Sequence, residues 1–229
     1  MKIKNFSDKP LKKMVVLGES HVRGSCATNE SNMWVRIVAD LISLYQGYEI
    51  ELHNKGISAS VISRRSPGYE ASIKPCAVDR YEQDVISLNP DLFLLSYGLN
   101  DMRAGMHPEE FRQDMNKIIL EVKNRCNPVI VLTSVYYMTD YTLYPPFNKG
   151  SICATETYNL VIRQLAEVNS CILADIWNAE GMADWMIHPD TVHANDLGHR
   201  IIGNRVFEAV AKNCSCLSAT VERKSDEHK

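Results

Sequence analysis

Short apolar runs alternate with amphipathic stretches along most of the chain. Residues 14–17, 48–53, 91–96, 129–132 and 171–176 read as strands. The third is a continuous run, Leu92-Phe93-Leu94-Leu95, as expected of a strand buried on both faces. Residues 33–42, 78–88, 108–124, 155–168 and 196–213 read as helices, the first with apolar positions at plain helical spacing. Asn29 or Ser31 can cap the first helix, and Asn89-Pro90 stops the second. Pro108 opens the third, with Glu109 and Glu110 near the positive end of its dipole. Strands alternating with helices predict an α/β fold, a three-layer α/β/α sandwich around a five-stranded parallel sheet with right-handed crossovers. Two stretches break the alternation: 136–151, with Pro145-Pro146 and four tyrosines, and 177–189. Loops that follow parallel strands lie at the carboxyl edge of the sheet, where ligands bind. These two either line a site or are surface insertions.

Composition adds bounds rather than direction. The 229 residues suit one domain, 1–229, with 1–12 as an N-terminal extension and 218–229 as a charged, flexible tail. With 45% hydrophobic and 23% charged residues the chain can bury an ordinary core. A net charge of -3 gives no reason to expect a nucleic-acid or anionic-membrane partner. No apolar run approaches the roughly 20 residues of a membrane span. The first ten residues are basic but lack an apolar core, so no signal peptide is expected there. Seven cysteines, an odd number, point to free thiols and a reducing, cytoplasmic setting, unless a removed leader directs export. Cys214-Ser215-Cys216 is the only close pair, and no metal is expected there.

The chemistry concentrates in four places. Val15-Val16-Leu17-Gly18-Glu19-Ser20 is an apolar run ending in a Gly-x-Ser turn that would present the Ser20 hydroxyl after the first strand. Asp190-Thr191-Val192-His193 puts a carboxylate and an imidazole on one short loop. A Ser hydroxyl becomes a nucleophile when a His removes its proton and an acid fixes the His tautomer. Gly56 follows the second strand and Asn100 the third. The Gly56 amide could serve an oxyanion hole or simply form a turn. The Asn100 side-chain amide could face developing negative charge or belong to an ordinary turn. What favours chemistry is that Ser20, Gly56 and Asn100 follow successive predicted parallel strands and so fall at one edge of one sheet. His188, Asp190, His193 and His199 also have metal-ligand residue types, but not the H-E-x-x-H spacing or a second acid nearby. No G-x-G-x-x-G opens a helix, so no dinucleotide cofactor is expected.

With these blocks in view, the sequence resembles the SGNH hydrolases of the GDSL esterase and lipase superfamily. The four defining residues of that family match Ser20, Gly56, Asn100 and His193. Asn195-Asp196-Leu197-Gly198-His199 resembles the segment just after the family's His, and Trp34 stands where members often have an aromatic residue. One departure is Glu19, where the family usually has Asp. The resemblance implies a flavodoxin-like sheet and a serine esterase with Ser20, Asp190 and His193 as its catalytic triad. It implies an oxyanion hole from Ser20, Gly56 and Asn100, and neither metal nor cofactor. Short-chain esters, acetyl groups on carbohydrate foremost, are the expected substrates. A lysophospholipase, a thioesterase or an acyltransferase is the alternative within the same fold, and a non-catalytic binding module is the alternative of another class.

Overall fold

The computed structural model describes residues 4–218. Its sheet contains β1 (Lys13–Gly18), β2 (Glu51–Gly56), β3 (Leu92–Ser96), β4 (Val129–Thr133) and β5 (Ile172–Ala174), all parallel, in the order β2-β1-β3-β4-β5. The helices are α1 (Ser20–Arg23), α2 (Trp34–Gln46), α3 (Tyr69–Ser72), α4 (Ala77–Asp84), α5 (Leu99–Ala104), α6 (Pro108–Arg125), α7 (Ile152–Val168), α8 (Ile176–Glu180) and α9 (Asp196–Ala211). α2 packs with α9 on one side of the sheet, and α4, α6 and α7 pack in succession on the other. Every residue of β3 and β4 is buried, which is why neither strand shows polar alternation. No helix among the described residues is long and apolar enough to cross a membrane.

Element boundaries differ from the sequence pattern for identifiable reasons. The strand expected at 48–53 runs instead from Glu51 to Gly56. Gly47, at φ 66°, ends α2 in the left-handed conformation, and the next residues reverse the chain before it enters the sheet. β2 is an edge strand of only partial burial, so its apolar pattern is a poor guide to register. β5 stops at Ala174 because Asp175 caps α8, accepting a hydrogen bond from the Asn178 amide. α7 starts at Ile152 because Ser151 caps it through the Ala154 amide. The helix expected at 78–88 breaks at Val85 into α4 and a short 3-10 turn, Ile86–Leu88.

The segment before β1 is fastened rather than loose. Phe6 donates its amide to the Asn213 carbonyl at 2.7 Å, and Ser7 bridges to Cys214. The Gln46 side chain holds both the amide (2.9 Å) and the carbonyl (2.8 Å) of buried Leu11. Of the tail expected at 218–229, Ser218 closes a 3-10 turn (Ser215–Ser218), and residues 219–229 lie outside the described residues.

The strand order has one reversal, since the chain leaves β1 towards β2 on one side and β3 lies on the other. Such a switch point opens a crevice at the carboxyl ends of the strands that flank it. Gly18 pairs with both Gly56 and Ser96 in register, so three loops emerge side by side there. α1 sits directly on these ends. A Cβ on Gly56 would fall 2.1 Å from the Arg23 amide nitrogen, and one on Gly18 would fall 2.7 Å from the Ser96 carbonyl oxygen. Arg80 ties the edge from below, donating to the carbonyls of Gly18 (3.1 Å) and Lys55 (2.8 Å) and to the Tyr97 hydroxyl (2.7 Å). Gly56→Ala should therefore lower stability by about 1–3 kcal/mol through overpacking against backbone that cannot yield. The check is a reduced urea midpoint at unchanged m-value; an unaltered midpoint would mean α1 shifts freely.

Candidate active site

Ser20 is the first residue of α1, placed there by an extended Glu19 at the end of β1. The opening amides of a helix have no partner within it, so the Ser20 hydroxyl sits among free donors. From the other end of the chain, a pinned loop delivers the acid and the imidazole. The His188 amide donates to the His193 carbonyl at 2.7 Å, and Ile187 bridges to Ala194. Inside that loop, Asp190 Oδ1 accepts the amides of Val192 and His193, each at 3.0 Å. Its Oδ2 lies 2.6 Å from His193 Nδ1, and His193 Nε2 lies 2.7 Å from Ser20 Oγ. The structure thus joins Ser20, His193 and Asp190, residues from opposite ends of the chain, in one hydrogen-bonded line. Burial works to raise the Asp190 pKa, but the hydrogen bonds from His193 and the Val192 amide prevail and hold it well below the usual carboxylate range. The carboxylate is ionised and faces an N–H of the ring.

Asn100, on α5, lines a pocket together with Ser20, Asp190 and His193. One of its side-chain protons goes to the Ser60 carbonyl at 2.9 Å, which fixes the amide and leaves its second proton. Gly56 is the correction. It is not among the residues lining the pocket, its amide donates to Asn54 Oδ1 at 2.9 Å, and its Cα is pressed against Arg23. Gly56 serves the packing of α1. Three residues on, Ala59 lines the pocket instead, at φ 60°, a left-handed conformation that ordinarily favours glycine. Nothing in the sequence marks an Ala for that backbone, whereas a glycine after a strand stands out.

Glu19 takes a role that the usual Asp would have to reach on a shorter arm. Its Oε1 accepts the amides of Gly98 and Asn100, both at 3.2 Å, tying the loop after β1 to the loop after β3. Gly98 adopts φ 125° to present its amide, a conformation open to glycine. Complete burial, with Asp101 nearby, pushes the Glu19 carboxyl well above its ordinary pKa. Burial also raises Asp101, whose carboxylate receives the Ile62 amide at 3.1 Å from each oxygen.

The other polar neighbours are structural. His21 follows Ser20 but faces inward, 2.8 Å from Ser96 Oγ and stacked on Trp34. Burial lowers its pKa to about 3, so it is neutral. His199 turns to the Ser25 carbonyl at 3.0 Å rather than toward Asp190. Cys26, which no sequence motif marks, donates its thiol to Asp190 Oδ2 at 3.3 Å. Ligand atoms of Cys26, Asp190 and His193 lie within 4.8 Å of one another, a set that could hold a metal only by breaking the Asp190–His193 hydrogen bond.

The sequence profile of the GDSL-like lipase/acylhydrolase family matches residues 16–201. An acetylxylan esterase of Geobacillus stearothermophilus is 23% identical over 189 residues, spanning 76% of this chain and 78% of that protein. A crystal structure of an acetylxylan esterase from the same organism superposes with a TM-score of 0.65, at 22% identity, covering 92% of this chain and 96% of that one. A lipase/acylhydrolase from Enterococcus faecalis gives 0.66 at 17% identity, covering 87% and 95%.

The buried carboxyls set the pH dependence of stability. Glu180, also buried, is raised to about 8 by burial against the single hydrogen bond from the Tyr137 amide. A carboxyl raised in the folded state keeps its proton where the unfolded chain has lost it. Stability is then full below the unfolded value and declines as pH rises towards the folded one, by at most about 1.4 kcal/mol per pH unit for each group. The urea midpoint should fall between pH 5 and pH 8, and Glu180→Gln should flatten that fall. A midpoint that rises over this interval would contradict the assignment.

Proposed function

Because the chain belongs to the GDSL-like lipase/acylhydrolase family and is a carboxylic ester hydrolase, we propose that Ser20, His193 and Asp190 are its catalytic triad and that short-chain esters, acetyl esters of carbohydrate foremost, are its substrates. The single observation carrying this reading is the line Ser20–His193–Asp190, with spacings of 2.7 and 2.6 Å, at the switch point of the sheet.

His193 Nε2 takes the Ser20 proton as Oγ attacks the ester carbonyl. Asp190 holds the ring in the tautomer that can accept and stabilises the imidazolium. The oxyanion meets the Ser20 amide and the free side-chain proton of Asn100, with the Ala59 amide in the place that the family resemblance gives to Gly56. As the intermediate collapses, His193 returns the proton to the departing alcohol. Water, deprotonated by His193 in turn, then releases the acid from Ser20.

Size supports a short acyl group. The pocket is about 280 Å³, just below the roughly 300–1,000 Å³ usual for ligand sites. Ala59, Val192, Tyr144 and Phe147 supply its apolar walls. The two aromatic rings suit the face of a sugar, and the relative's name, acetylxylan esterase, supports an acetylated carbohydrate. Seven unpaired cysteines support a reducing, cytoplasmic setting.

On para-nitrophenyl esters, the acetate should be hydrolysed fastest, with rates falling as the acyl chain lengthens. Ser20→Ala should abolish turnover while retaining the fold. Asn100→Ala should reduce kcat about 100- to 1,000-fold, the usual loss for one oxyanion donor. Full activity of Ser20→Ala, or a preference for octanoate, would overturn the reading.

A further inference from the structure

Arg103 is the one charged group in the pocket that nothing among the described residues neutralises by contact. It lies one turn after Asn100 on α5, on the same face, and both line the pocket with Ser20 and His193. Only 4% of its surface is exposed. A guanidinium has five N–H donors. Here Nη2 donates to the Leu143 carbonyl at 3.2 Å, and Nε is sealed from solvent without a partner. Among the described residues no carboxylate lies within ion-pair distance of it. Glu19, Asp190 and Asp140 act on it only through space. Asp190 is engaged by His193 and Val192 and Asp140 by Thr142, while Glu19 accepts the Gly98 and Asn100 amides on Oε1 and its Oε2, without a hydrogen-bond partner, makes no ion pair with the guanidinium.

Holding a cation away from water without a counter-ion is costly. Part of the arrangement is architectural, because Arg103 anchors the loop over the pocket. Lys149 donates its amide to the Arg103 carbonyl at 2.8 Å, and the guanidinium lies 6.0 Å from the centre of the Phe147 ring. Anchoring accounts for one donor at Leu143 and leaves the other terminal N–H groups of the fork unused, in a pocket that Ser20 also lines.

We propose that the natural ester carries a carboxylate on its alcohol half, an acidic sugar being the fitting class, and that Arg103 is the specificity residue that binds it. A planar guanidinium fork pairs a planar carboxylate through two parallel hydrogen bonds. The alcohol half is assigned because the small pocket leaves little room for a charged acyl chain. This inference rests on the esterase reading of Ser20.

The experiment compares kcat/KM for 3- and 4-acetoxybenzoate with that for their methyl esters, which present the same acetyl group without the charge. The wild type should favour the acids. Arg103→Gln should lower the acid-to-ester ratio about 10- to 100-fold, the range for hydrogen bonds to a charged group. Arg103→Lys should fall between, keeping charge but losing the fork. Damage to the loop or to the folded fraction affects both substrates and cancels in the ratio. No preference in the wild type, or an equal ratio in Arg103→Gln, overturns the inference while leaving the esterase intact. If the wild type hydrolyses neither kind of ester faster than Ser20→Ala, the esterase reading itself fails and takes this inference with it.

Discussion

Parallel strands can be joined only by crossovers, and the order in which those crossovers fill the sheet determines where loops diverge. Here the chain fills one side of β1 with β2 and the other with β3, β4 and β5. The divergence falls at the carboxyl ends of β1 and β3, at Gly18 and Ser96, which face each other in register. Everything chemical depends on that edge. Ser20 stands two residues beyond Gly18, Asn100 four beyond Ser96, and the loop before α9 brings Asp190 and His193 over both. The carboxyl of Glu19 converts this proximity into fixed geometry, because one oxygen accepts amides from the β3 loop while the next residue is Ser20.

The site is built by burying polar groups with few partners to spare. Glu19, Asp101, Glu180, His21 and Arg103 are all nearly or wholly inaccessible. Each would be cheaper on the surface. Backbone amides satisfy one oxygen of Glu19 and one of Glu180, while Glu19 Oε2 and Glu180 Oε1 have no partner. Protonation relieves such carboxyls, which is why burial raises them. Asp190 is the exception, since its hydrogen bonds, those from His193 among them, keep it ionised. Two kinds of carboxyl environment therefore coexist, one buried with its pKa raised, the other held ionised beside the imidazole.

Much of this is legible in the sequence because it is written in local pattern. Fully buried strands such as β3 appear as unbroken apolar runs, and caps and prolines mark the ends of α6 and its neighbours. Ser20 is legible as a hydroxyl at a strand end, and Asp190 and His193 as an acid and an imidazole spaced to share one short loop. Gly56 misleads because a glycine after a strand fits both a ligand contact and a close helix contact, and only three-dimensional packing against Arg23 distinguishes them. Ala59 carries no sign of its left-handed backbone. Arg103 reads as one more helical cation until its burial and idle donors are seen. Cys26 reaches Asp190 across 164 residues, a distance no local pattern encodes.

The most direct test of the central claim is labelling with a fluorophosphonate and then mapping the adduct by peptide mass spectrometry. A Ser activated by His193 should form a single covalent adduct at Ser20, and the His193→Ala protein, though folded, should form none. An adduct on another residue, or a folded wild-type protein that takes no label, would contradict the assignment of Ser20 as the nucleophile.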